Sequence, residues 1–204
     1  MKISGFNHKY NNEYTYTMNK NLFILFSLTL SLLSCGGQNK VESQQGTETG
    51  SVTQTEAQGE ASGLKQLIDA AGMKTYTDGE YQVKVSYPDF FVMTTAEPGT
   101  ARFNYADEQK HVISMVMFVE PNVEGWSVAE AVKQIADFDN ICEKQGKDYY
   151  IMSGQLSADP RACFYEKCYL MNGNWVDYAV YYLAEDKEAV ERLINTVKDW
   201  NPKH

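Results

Sequence analysis

Histidine is nearly missing from this chain. Its 204 residues contain three, His8, His111 and His204, so a metal site built from clustered imidazoles has no material. Any imidazole-activated nucleophile would depend on His111 as its base, and no Gly-x-Ser-x-Gly turn or comparable device accompanies it. The paired carboxylates Asp137 with Asp139 and Glu185 with Asp186 fall at a helix end and a helix start, where charge is ordinarily solvated. The expected assignment is therefore no catalytic residue, no metal and no cofactor. Positive charge is short as well, with 18 Lys and Arg against 27 Asp and Glu and a formal net charge of -9. The first 34 residues carry Lys2, Lys9, Lys20 and Glu13, a net of +2, which leaves -11 on the remainder. Such a surface repels phosphate backbones and anionic headgroups, so nucleic acid is excluded as the expected partner. Also lacking is an apolar run of about 20 residues, the length needed to span a bilayer as a helix.

What the chain does have is a shorter run, Leu22 to Leu33, twelve residues in which only Ser27, Thr29 and Ser31 are polar. Lys20 precedes it, and Ser34 and then "CGGQNK" follow. This is the layout of an export signal. Leu32, Leu33, Ser34 and Cys35 resemble the lipobox of bacterial lipoproteins. That resemblance implies a thioether-linked diacylglycerol on Cys35, cleavage before it and acylation of the freed amine, since two or more chains anchor stably where one does not. It also implies a bacterial cell-envelope protein held at a membrane through its lipid. The absence of Asp directly after Cys35 favours the outer membrane under an enterobacterial-type sorting rule, with the protein facing the periplasm. The polar stretch before Met18 does not belong to such a signal, which makes Met18 the expected start. Residues 1–34 are thus read as the signal segment.

Residues 35–62 hold the lipidated cysteine and a Gly-, Gln-, Ser-, Thr- and Glu-rich stretch with almost nothing apolar. It cannot bury enough surface to offset ordering entropy, and reads as a flexible linker with a root-mean-square span of roughly 30 Å. Residues 63–204 form the single expected domain, because the 43% hydrophobic content of the chain requires a packed core.

Within that domain, "LKQLIDAAG" places Leu64, Leu67, Ile68 and Ala71 at helical spacing before Gly72. "EYQVKVSYP" alternates strictly and predicts a half-buried strand ending at Pro88. "FFVMTT" and "ARFNYA" read as short strands. "HVISMVMFVE" is apolar on both parities and predicts a central strand covered on both faces. "WSVAEAVKQIADF" carries a capping box, Ser127 with Glu130, and the apolar stripe Val128, Val132, Ile135. "DYYIMSGQL", "RACFYEKCYLM" and "NWVDYAVYYLAE" read as strands, the last two joined by Asn172-Gly173, the strongest short hairpin signal. "EAVERLINTVKDW" closes the chain as an amphipathic helix with Asp186 as its expected cap. The fold class is α+β, an antiparallel sheet of about six or seven strands covered by helices.

The strand end "VKVSYPDFF", with Tyr87, Pro88, Phe90 and Phe91, together with this element order resembles the PsbP-like fold over about residues 76 to 200. That resemblance implies an α-β-α sandwich and a non-enzymatic accessory or binding module. It transfers no catalytic residues.

Three cysteines remain beyond the lipobox. Cys163 and Cys168 lie five apart in one strand, about 16 Å apart on opposite faces and beyond bridging distance. A disulfide would therefore use Cys142, with Cys168 as the favoured partner, beside the alternative of three free thiols. Tyrosine numbers fourteen, and a two-residue turn at Asn172-Gly173 would put Tyr165, Tyr169, Tyr178 and Tyr182 on one face. Such a face is either an aromatic ladder beneath a helix or a ligand surface for a small apolar or glycan molecule. The leading expectation is an anchored, non-enzymatic binding or accessory lipoprotein with an envelope protein as partner. A carrier using the tyrosine face comes second, and a hydrolase built around His111 a distant third.

Overall fold

The computed structural model describes residues 63–135, 141–157 and 159–203. The 1–34 signal, Cys35, the 36–62 linker, the Asp137 and Asp139 pair and His204 lie outside the described residues.

Helix α1, over 63–70, buries Leu64 and Ile68 and leaves Leu67 exposed, so its inward face is one residue narrower than the expected stripe. Strands β1 (Met73–Thr77) and β2 (Lys84–Pro88) pair antiparallel as a separate two-stranded sheet. The strand expected from residue 80 starts only at Lys84, because Gln82 takes a left-handed backbone, φ 56°. Asp78 organises the intervening loop. Its Oδ1 accepts from the backbone N–H of Glu80 (2.9 Å) and Tyr81 (2.8 Å), and its Oδ2 accepts from Gly99 N (2.8 Å).

The main sheet contains β3 (Val92–Glu97), β4 (Thr100–Ala106), β5 (Val112–Pro121), β6 (Ile141–Gln145), β7 (Tyr149–Leu156), β8 (Asp159–Met171) and β9 (Asn174–Leu183). Their order is β3-β4-β5-β9-β8-β7-β6, and every neighbouring pair is antiparallel. The class is α+β with a seven-stranded antiparallel sheet. β5 sits inside the sheet with Ile113, Met115 and Met117 buried on one face and Val112 and Val116 on the other, as its two-sided apolar pattern requires. Both outer strands are interrupted: in β3 Thr94, and in β6 Glu143, is an extra residue against the neighbouring strand. Asn104 Nδ2 donates to Thr94 Oγ1 (2.6 Å), and Ser153 Oγ donates to Glu143 Oε1 (2.7 Å), so each extra residue is tied to the strand beside it.

Asn172 and Gly173 both have positive φ, 53° and 75°, giving the two-residue turn whose twist matches the flanking strands. The resulting register pairs Met171 with Asn174, Tyr169 with Val176, Lys167 with Tyr178, Tyr165 with Val180 and Cys163 with Tyr182. Helix α2 (Val128–Ile135) begins at a closed capping box: Ser127 N donates to Glu130 Oε2 (2.8 Å) and Glu130 N donates to Ser127 Oγ (3.3 Å). It lies against β6 and β7. Helix α3 (Glu191–Asp199) follows a 3-10 turn at Ala184–Asp186, with Val190 rather than Asp186 at its N-cap position.

One face of the sheet packs with α1, β2 and α3 into a continuous core that includes Ile68, Val83, Val85, Phe103, Met115, Tyr178, Leu193 and Val197. Arg192 fastens α3 to the end of α1 by donating to the carbonyls of Asp69 and Ala71, both at 3.0 Å.

Candidate functional site

The four tyrosines singled out by the hairpin register do share a face, and α3 covers it. Tyr165, Tyr169, Tyr178 and Tyr182 belong to the core and none is more than 6% exposed. Trp200, just beyond α3, meets Tyr169 (5.6 Å, edge to face) and Tyr178 (5.4 Å), and its indole N–H donates to Lys84 O (2.7 Å). The Tyr178 hydroxyl donates to Ser86 O. Lys167, on the same face, donates to Lys198 O and Trp200 O, both at 2.7 Å, and so closes the carbonyl end of the helix. Burial pushes the hydroxyls of Tyr165 and Tyr182 up to about 12. A ligand at this face would have to displace α3.

The expected Cys142–Cys168 disulfide is not formed, and Cys142, Cys163 and Cys168 are all free thiols. Sheet order explains this. Cys142 pairs with Met152 while Cys168 pairs with Tyr150, so β7 runs between the two cysteines and holds their backbones roughly 10 Å apart or more, past disulfide reach.

The reading of Asp186 as a solvated helix-start carboxylate is also corrected. Asp186 is 1% exposed and its Oδ1 lies 2.7 Å from His111 Nδ1, across 75 residues of sequence. The 3-10 turn after β9 folds Asp186 back over the start of β5, which no local pattern announces. Asp107 stands beside them, its Oδ1 accepting from His111 N (3.0 Å) and its Oδ2 from the Tyr105 hydroxyl (2.9 Å). Burial raises the carboxyl of Asp186, against which the His111 ring pulls it down. A carboxylate orienting an imidazole is half of a nucleophilic triad. Here His111 Nε2 is buried without a hydrogen-bond partner, so no hydroxyl or thiol among the described residues is engaged by it. Among the described residues the pair is tied into the fold with no nucleophile at the base.

A second group of ionisable side chains lies on the other face of the sheet. Asp177 on β9 stands opposite Phe118 on β5 and Cys168 on β8, and Cys168 stands opposite Tyr150 on β7. Glu166 lies two residues before Cys168 on the same face. Asp177 is 9% exposed and its Oδ1 has no hydrogen-bond partner. Burial, reinforced by the neighbouring Glu120, lifts the Glu166 carboxyl to about 7. Burial and the charge of Glu166 lift Asp177 well above the ordinary carboxylate range. Tyr150 and Trp175 flank the group with ring centroids 6.0 Å apart. Reasoning from sequence missed this site, although the signal was present: in "NWVDYAVYYL" an aspartate interrupts a strand that is otherwise apolar on both parities.

Among the described residues no group of three His, Cys, Asp or Glu side chains is arranged to hold a metal ion, and no helix is long and apolar enough to cross a membrane. Neither a family model nor a curated protein sequence matches this chain. Among solved structures, the chain is similar to the solution structure of cyanobacterial PsbP (CyanoP) from Synechocystis sp. PCC 6803. The two share 13% sequence identity at a TM-score of 0.39, over 63% of this chain and 90% of that one.

Proposed function

We propose that this protein is a non-enzymatic accessory or binding module with a PsbP-like fold, lipid-anchored at Cys35 in a bacterial envelope, and that its partner is another envelope protein. The observation that carries the partner reading is a contrast in exposure. The aromatic face that could have carried a small apolar or glycan ligand is packed under α3. Large apolar side chains on the outer strand β3 stand in solvent, with Val92 64% and Met93 47% exposed. An apolar surface left open to water is where a protein partner would gain burial energy. The anchoring half rests on the Leu32-Leu33-Ser34-Cys35 motif and the polar stretch that follows it.

Two measurements test the halves separately. A photo-crosslinking amino acid at position 92 in intact cells should give a discrete adduct with an envelope protein, while the same residue at the exposed Lys133 of α2 should not. Silence at 92 across growth conditions, with the protein folded and abundant, defeats the partner reading. Cys35→Ala should move the chain out of the detergent phase; unchanged partitioning defeats the anchor.

A further inference from the structure

Among the described residues, no cation pairs with the acid group on the sheet face opposite α3. The charged groups that act on Asp177 are Glu166 and Glu120, both acids, and the neighbouring polar groups are the Cys168 thiol and, next to that thiol, the Tyr150 hydroxyl. Arg102 on β4 faces Tyr181, farther along the same face. A carboxylate this buried is strongly disfavoured unless something donates to it; the Cys168 thiol and the Glu166 carboxyl lie within hydrogen-bonding reach of the Asp177 carboxyl, yet its Oδ1 has no partner. Glu166 is half-buried and Phe118, directly opposite Asp177, is 38% exposed, so the group lies just beneath the surface at that edge, with Asp177 Oδ1 itself closed off from solvent. The walls are aromatic: Tyr150 and Trp175 form a tilted pair, and such ring faces attract cations.

We propose that Asp177 and Glu166, with the rings of Tyr150 and Trp175, form a binding site for a primary alkylammonium ion, whose N–H groups supply the donor that Asp177 Oδ1 lacks. A metal ion suits the site less well. It needs three or more protein ligands converging on one point, and among the described residues no such group exists. An ammonium needs only acceptors on one side and ring faces on the other. Binding would replace the proton that the carboxyl pair holds near neutrality, so affinity should rise with pH through that range. The site is independent of the partner reading above, since it uses none of the β3 side chains.

The test is calorimetric titration of the full chain in detergent at pH 8 with n-butylammonium chloride, beside tetramethylammonium chloride, calcium chloride and sodium chloride of equal ionic strength. Saturable binding of n-butylammonium is expected. Tetramethylammonium, which has no N–H, should bind at least tenfold more weakly, and Asp177→Asn or Glu166→Gln should weaken n-butylammonium at least tenfold. Each variant is checked by its thermal transition, and two are used so that one remains if the other does not fold. Absence of saturable binding to the folded wild type overturns the proposal. So does equal binding by the folded variants, equal binding of the quaternary ion, or saturation by calcium that n-butylammonium cannot displace.

Discussion

Asp177 and Glu166 couple the protonation of two side chains to the stability of the whole sheet. Their carboxyls bind protons more tightly in the folded chain than in the unfolded one, Glu166 up to about 7 and Asp177 in the same direction. A group raised in this way contributes stability that is fully present below its unfolded value, about 4.3 for Glu, and is lost as pH rises through the folded value. The melting temperature should therefore fall as pH is raised from about 4.3 through 7, by something of the order of 5 °C. In Glu166→Gln that slope should flatten, and scanning calorimetry at a series of pH values reads the difference. Asp186 is tested by removing it. It is the partner of the buried His111 ring, so Asp186→Ala should destabilise the domain by about 3 kcal/mol in urea titrations at pH 7, the loss expected when one member of a buried pair is removed. An Asp186→Ala variant as stable as wild type would show that the pair contributes nothing to folding.

Elements that terminate on local chemistry were legible in the sequence. The capping box at Ser127 and Glu130 closes as its spacing requires, and Asn172-Gly173 sets the register of β8 against β9 to the residue. Both can be broken singly. Ser127→Ala should cost about 1 kcal/mol. Gly173→Ala, forced to hold φ 75°, should cost roughly 1–2 kcal/mol, and chemical denaturation measures each. β1 and β6 were not legible, because "MKTYT" and "ICEKQ" are short, polar and largely exposed, and what makes them strands is a neighbour's unpaired backbone. The Asp177 site was half legible, as a charge out of pattern in β9. Its partner Glu166 lies on another strand, and only the register brings the two together. Asp186 could not be matched with His111 at all, since their contact depends on a turn between β9 and α3 that carries no marker.

At the scale of the molecule, α3 and the residue after it join three layers. Trp200 touches Tyr169 and Tyr178 in the sheet and donates to Lys84 in the small β1–β2 sheet, while Lys167 donates back to the helix end. Trp200→Ala should therefore destabilise by roughly 3–5 kcal/mol and open the tyrosine face, seen as dye binding by a partly folded state. If the variant melts like wild type without dye binding, α3 is not what holds the face closed. The extra residues in β3 and β6 act at the same scale. They sit at the two margins where, among the described residues, the sheet has no further neighbour, and each is pinned by a side chain from the adjacent strand. Deleting Thr94 and Glu143 together would leave two straight, unpaired backbones open to strands from other molecules, and light scattering should then report assembly at concentrations where the natural chain stays dispersed. That outcome would assign to two single-residue insertions the task of keeping the fold from polymerising.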